Sequence, residues 1–196
     1  MLSSLIQITN FLSQQKLNIE VLLQSCIKGD QLAQMEIYNR YYKAMYNTAF
    51  RILKDSFEAE DVMQESFLNA FTKLDTFKGE VTFGAWLKRI VVNNSIYHYR
   101  KMQKKANISM ESVMHKVEDN DGIATDHEFT NVQAQKVLQT MKQLKDNYRV
   151  SLTLYLIEGY DHEEICEIMG ISYANCRTTI SRAKESLRKK MSSLCN

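Results

Sequence analysis

Apolar residues recur along this chain at steps of three and four, and no run of alternating β-branched residues reads as a strand. A short helix is expected over 19–28, stopped by Gly29. Asp30 can cap a long helix reaching about Leu53, with Met35, Tyr38, Tyr42, Met45, Ala49 and Ile52 as its apolar line. Ser56 is the expected cap of the next helix, whose stripe is Ala59, Val62, Met63, Ser66, Phe67, Ala70, Phe71 and Leu74. A loop at Phe77-Lys78-Gly79-Glu80 precedes Thr82, which caps a helix from Phe83 to about Lys104 and offers Trp86, Leu87, Ile90, Val91 and Tyr97 to a core. Periodicity is then lost over 106–128, a polar and acidic stretch with a turn signal at Asp121-Gly122. Four helices follow. The first spans Phe129 to Leu144, with Val132, Val137, Leu138, Met141 and Leu144 inward. The second, Asn147 to Glu158, carries Val150, Leu152, Leu154, Leu156 and Ile157 nearly all round and should be central. The last two flank Gly170, the final one running to about Ser192.

This pattern predicts an all-α protein of two small helical domains joined by a flexible acidic linker. The boundaries fall at 1–17 for a weakly patterned extension, 18–105 for the first domain, 106–128 for the linker and 129–196 for the second domain. Composition agrees. The 196 residues include no proline and only 6 glycines, and 44% are hydrophobic. Proline interrupts helices, so its absence permits long ones, and the apolar content excludes wholesale disorder. As a relaxed coil the linker would span roughly 27 Å, and stretched out at most about 75 Å.

The net charge of +2 says little about partners, but its distribution says more. Lys88, Arg89, Arg100, Lys101, Lys104 and Lys105 form one basic block without an acid. Arg177, Arg182, Lys184, Arg188, Lys189 and Lys190 form a second, opposed only by Glu185. Glu118, Asp119, Asp121, Asp126 and Glu128 lie between them. Two cationic blocks around an acidic spacer fit two contacts on one polyanion. Cys26, Cys166, Cys176 and Cys195 make no C-x-x-C pair, no secretory leader is read at the start, and no apolar run reaches the length of a membrane span. The expectation is a cytoplasmic protein with reduced thiols, no cofactor and no metal. His162, Cys166 and Cys176 could be imagined as zinc ligands or a nucleophile pair, but both cysteines fall on apolar helix positions, where packing explains them better.

The most informative segment lies near the C-terminus. Asp161 and Glu164 have the spacing of a capping box. Ile165, Ile168 and Met169 follow on one face, Gly170 permits a tight turn, Ile171 packs inward, and Ser172 caps a longer basic helix. A short helix, a glycine turn and a basic helix make a helix-turn-helix. Its outward face would present Asn175, Arg177, Thr178, Ser181 and Arg182. Arginine can grip guanine through two hydrogen bonds, and the others can bond to base edges or phosphate. The plainer reading is a helical hairpin with a solvated basic face.

Two further surfaces stand out. Asn93 lies beside Trp86, Arg89, Ile90 and Tyr97 at helical spacing. An amide among aromatics and cations can hold an unpaired base. Alternatively, Trp86 and Tyr97 belong to the core and the asparagines bond locally. Opposite the Ala59–Leu74 stripe runs the line Asp61, Gln64, Glu65 and Leu68, either a wet helix face or a docking site for metal or an arginine-rich protein surface.

In order, these features resemble a known family. Asp61-Val-Met-Gln64-Glu65-Ser-Phe67, then Phe77-Lys78-Gly79, then Phe83-Gly-Ala-Trp86-Leu87-Lys-Arg-Ile90-Val-Val-Asn93 resembles domain 2 of extracytoplasmic function (ECF) sigma factors of the sigma-70 superfamily. Tyr148-Arg149 through Glu158-Gly159, Glu164-Ile165 and Ser181-Arg182-Ala183-Lys184-Glu185-Ser-Leu187 resemble domain 4. The resemblance covers about 18–192. It implies a non-enzymatic factor that directs core RNA polymerase to promoters and helps open the −10 region. Asp61, Gln64, Glu65 and Leu68 would dock on the clamp helices of core polymerase, and domain 4 would meet its flap. Asn93, with Phe77 and Lys78, would hold an unpaired −10 base, with Lys88, Arg89, Arg100 and Lys101 on phosphates. Asn175, Arg177, Thr178, Ser181, Arg182 and Lys184 would engage the −35 element. An anti-sigma partner is also implied. Where the family usually has Leu-Pro, this chain has Leu144-Lys145-Asp146, which can still begin a helix, and Cys176 replaces a common valine. The competing reading is a self-sufficient helix-turn-helix regulator, which would usually need to dimerise, though no sustained heptad is present to drive it.

Overall fold

The computed structural model describes residues 19–108 and 132–193. The extension 1–17, residues 109–131 with most of the expected linker, and residues 194–196 with Cys195 lie outside the described residues. Eight α-helices are present among the described residues: α1 (19–27), α2 (Gln31–Leu53), α3 (Ser56–Thr72), α4 (Phe83–Ile108), α5 (Val132–Lys142), α6 (Asp146–Leu152), α7 (His162–Met169) and α8 (Tyr173–Ser193). A 3-10 turn, Leu74–Thr76, follows α3, and a π-helical turn, Thr153–Ile157, extends α6.

In the first domain α2, α3 and α4 pack on one another. Small residues permit close approach: Ala49, Ala59 and Ala70 are fully buried beside Ile37, Val62, Leu87 and Val91. At Gly84 a Cβ would lie 2.9 Å from the Tyr41 ring, so α4 crosses α2 where only glycine leaves the ring undisturbed. Asp30 caps α2 as the sequence predicts, its carboxylate accepting from the Leu32 and Ala33 amides. Lys54 closes the helix at φ 60°, its amide donating to Phe50 O. The next cap is Asp55 rather than Ser56. Asp55 holds an extended backbone and accepts from Glu58 N at 3.0 Å, which makes Ser56 the first helical residue.

Three expected core positions are corrected. Met35 is 57% exposed, because the buried face of α2 runs through Ala33, Ile37, Met45 and Ala49 instead. Tyr97 is 64% exposed, because α4 turns Val92 and Ile96 inward. Leu156 is 48% exposed, since the π turn rotates it out while Leu152 and Leu154 stay fully buried.

In the second domain α8 packs against α5, α6 and α7. Its core contains Met141, Leu144, Leu152, Ala183 and Leu187 on one side and Val150, Leu154, Ile165, Ile168, Cys176 and Ile180 on the other. Asp146 begins α6 without proline or a side-chain cap. The second apolar group does not stop at the domain. Ile52, Val92 and Ile96 of the first domain complete it, so the two helical groups lie against each other.

Candidate nucleic-acid interface

The helix-turn-helix is built by local bonds that its sequence specifies. Asp161 Oδ1 accepts from Glu164 N at 2.8 Å, and Glu164 Oε2 accepts from Asp161 N at 3.0 Å, closing the capping box. Gly170 adopts φ 54°, ψ 42°, the left-handed geometry that turns the chain within one residue. Ile171 N then donates to Cys166 O at 3.1 Å, and Ser172 Oγ accepts from Asn175 N at 3.3 Å. Cys176 pins α8 to α7. It is 1% exposed, and its thiol donates to His162 O at 3.6 Å. Burial, with the neighbouring Cys166, pushes that thiol up from 9.0 to about 11.

With Cys176, Ile180, Ala183 and Leu187 turned inward, the opposite face of α8 carries Asn175, Arg177, Thr178, Ser181 and Arg182, all exposed. Two of these are trimmed by local bonds. The Thr178 hydroxyl donates to Ala174 O at 2.8 Å, and Asn175 Oδ1 accepts from Thr179 at 3.2 Å. Lys184 leaves this face, its ammonium 4.0 Å above the Tyr155 ring in a cation–π contact.

Along α4 the expected residues divide into two groups. Asn93, Tyr97 and Lys101 are exposed, and Lys78 is exposed on the loop before the helix. Phe77 is half-buried, with its ring 5.4 Å from Trp86 and 5.8 Å from Phe83, so it anchors that loop through aromatic packing. Asn94 donates to Ser66 Oγ at 3.0 Å and ties α4 to α3, a local bond that Asn93 does not share. Lys88, Arg89 and Arg100 instead meet the second domain. Lys88 Nζ is 3.4 Å from Glu158 Oε2 and donates to Glu158 O at 3.3 Å. Arg89 reaches Glu164 at 3.4 Å and Glu167 at 3.6 Å, and lies 5.1 Å from the Tyr160 ring centre. Arg100 donates to Ile168 O at 3.0 Å.

Asp61, Gln64, Glu65 and Leu68 form one exposed face of α3, with Leu68 68% accessible. Gln64 donates to Glu60 at 3.2 Å. His98 of α4 sits behind this face, 3.3 Å from Glu58 and 3.4 Å from Glu65. Sequence reasoning missed Phe57, which is 81% exposed at the start of the same face. Its spacing of four from Asp61, on the polar side of the helix, was the available signal. Reasoning from sequence also missed Glu158, whose side chain is 4% exposed between Arg51 and Lys88. Among the described residues no cluster of three or more His, Cys, Asp and Glu is placed to hold a metal ion, and no helix is long and apolar enough to cross a membrane.

Comparison with known proteins places this arrangement. Residues 37–105 match Sigma-70 region 2, and residues 134–187 match Sigma-70, region 4. The ECF RNA polymerase sigma factor SigW of Bacillus subtilis is 32% identical over 178 residues, covering 85% of this chain and 93% of the relative. The ECF RNA polymerase sigma-E factor of Salmonella typhimurium is 30% identical over 188 residues, covering 92% of this chain and 97% of the relative. The sigma factor RpoE of Bartonella quintana, solved in complex with the anti-sigma factor NepR, shares the fold with a TM-score of 0.56 at 20% identity, covering 81% of this chain and 96% of its own. Two regions matched in order and relatives aligned over nearly their whole length lead to one conclusion: the chain belongs to the ECF sigma factors of the sigma-70 family.

Proposed function

We propose that this sigma factor docks on the clamp helices of core RNA polymerase through Asp61, Gln64, Glu65 and Leu68, extended by Phe57. It reads a −35 element with Asn175, Arg177, Thr178, Ser181 and Arg182, and holds an unpaired −10 base against Asn93 beside Tyr97 and Lys78. The observation that carries this reading is the exposed polar face of α8 on a helix whose other side is locked in the core by Cys176, Ile180 and Ala183. A rigid helix with arginines near its N-terminus is the geometry that enters a major groove. Lys184 contributes to α8 through Tyr155 rather than by reaching DNA first. The flap of the polymerase and an anti-sigma factor complete the partners, the latter supported by the complex in which the Bartonella quintana relative was solved. No chemistry is assigned to the chain itself.

The test is equilibrium binding of labelled promoter fragments with and without bacterial core polymerase. Promoter-selective binding and opening are expected only with core, and are lost in the double variant Asp61→Arg with Glu65→Arg. Tight sequence-specific binding by the free protein, unchanged by core, would overturn the reading in favour of a self-sufficient regulator.

A further inference from the structure

Three cations expected on DNA phosphates meet domain 4 instead, two through acids and one through a carbonyl. Lys88 is paired with Glu158, Arg89 with Glu164 and Glu167, and Arg100 with a carbonyl at the C-terminal end of α7. Glu158 is almost out of water, a position a carboxylate holds only when paired, and Arg51 and Lys88 supply the pairing. Beneath these pairs Ile52, Val92 and Ile96 of domain 2 are buried against Val150, Leu154, Ile165 and Ile168 of domain 4. Apolar burial supplies attraction without direction, and the ion pairs supply the register. Carboxylate and phosphate compete for the same lysine and arginine donors, so a cation engaged by domain 4 has less to offer a phosphate.

We propose that domain 4 inhibits domain 2 in the same chain by presenting Glu158, Glu164 and Glu167 to Lys88 and Arg89, and the Ile168 carbonyl to Arg100, where nucleic-acid phosphates would otherwise bind. The inference rests on the reading that these cations contact phosphate. The closed protein occupies the phosphate-facing cations of its −10 surface while Asn93, Tyr97 and Lys78 stay exposed, and separation of the domains frees the cations and uncovers the apolar patch together. Affinity for single strands is then reduced by the fraction of molecules that is closed.

Two full-length variants test this. Glu158→Gln with Glu164→Gln weakens the charged side, and glutamine at 164 can still close the capping box. Val92→Asn weakens the apolar side without changing charge. Glu20→Gln with Glu36→Gln is the charge-matched control for the first. Each is measured by small-angle scattering and by fluorescence anisotropy with a short oligothymidylate at low salt. Both variants should show a larger radius of gyration than wild type and bind the oligonucleotide roughly three- to tenfold more tightly, beyond any gain in the control. An unchanged radius with affinity equal to the control would overturn the closed form. A larger radius without tighter binding would overturn the inhibition. In that last case Lys88→Ala with Arg89→Ala is added to the opened variant. A fall in affinity then leaves the phosphate assignment standing, and no fall removes it as well.

Discussion

Arg149 is 3% exposed, and its guanidinium spans the junction between the domains. Its Nη1 donates to Arg51 O and to Ile52 O, the latter at 3.1 Å, while Nη2 meets Asp146 at 3.2 Å. Arg51 and Ile52 stand in the last turn of α2, where carbonyls lack partners within the helix. A domain 4 side chain therefore caps a domain 2 helix. Burial pulls the Arg149 pKa down and Asp146 pulls it back up, so the charge is held at a cost. In Arg149→Met the volume is roughly kept and both carbonyls lose a charged donor. Hydrogen bonds to charged groups contribute about 1.5–3 kcal/mol each. The desolvation of Arg149, including an Nε without a partner, offsets part of that. Asp146 is half-exposed and returns to water at little cost. The net loss should be about 2–3 kcal/mol, confined to docking. Urea unfolding reads it directly, because the single tryptophan, Trp86, reports domain 2 while far-UV dichroism reports both domains. With urea slopes of about 1–3 kcal/mol per molar, the dichroism midpoint should fall by roughly 1 M and separate from the tryptophan midpoint. Coincident probes at an unchanged midpoint would refute the reasoning.

Three further outcomes are expected. Gly170→Ala forces a Cβ into left-handed geometry and to 3.1 Å from Arg100 Nη2, so thermal melts should show a loss of about 1–2 kcal/mol. Arg182→Ala should flatten the plot of log K against log salt for promoter binding by the assembled polymerase by about one unit, if that guanidinium neutralises a phosphate. The Cys176 thiol is raised in the folded state, so the unfolded chain ionises first and stability falls as pH rises from 9.0 to about 11. Cys176→Val should remove up to about 3 kcal/mol of that alkaline loss relative to wild type, as measured by denaturant titrations at each pH.

The helix pattern was legible wherever a helix buries one face in the core of its own domain. The α3 stripe from Ala59 to Ala70 and the Cys176–Leu187 line on α8 are such cases. It misled where a helix packs in both domains. The core face of α4 divides between Leu87 and Val91, packed within domain 2, and Val92 and Ile96, packed on domain 4. A single 3.6-residue stripe cannot represent that division, and Tyr97 falls on such a stripe while facing solvent. The π turn after Leu152 was equally hidden, because it changes the backbone hydrogen bonds without altering apolar composition. The basic blocks announced polyanion chemistry but not which cations face solvent. Lys88 and Lys101 look alike in sequence, and their different surroundings arise from the distant Glu158.

The same surroundings bear on how promoter DNA is opened. Unstacking a base costs a few kcal/mol, and stacking on one aromatic side chain returns about 1–3. Around Asn93 the exposed aromatic is Tyr97, while Trp86 is held in a cluster with Phe77 and Phe83. One amide and one exposed ring can offset the unstacking of about one base, not of several. The cations that would stabilise the neighbouring backbone, Lys88 and Arg89, are engaged with glutamates in the closed form. Opening therefore needs free energy from outside the chain, and a partner that grips the α3 face while drawing domain 4 away can supply it. A free protein that opened duplex promoter DNA by itself would contradict this reasoning at its energetic root.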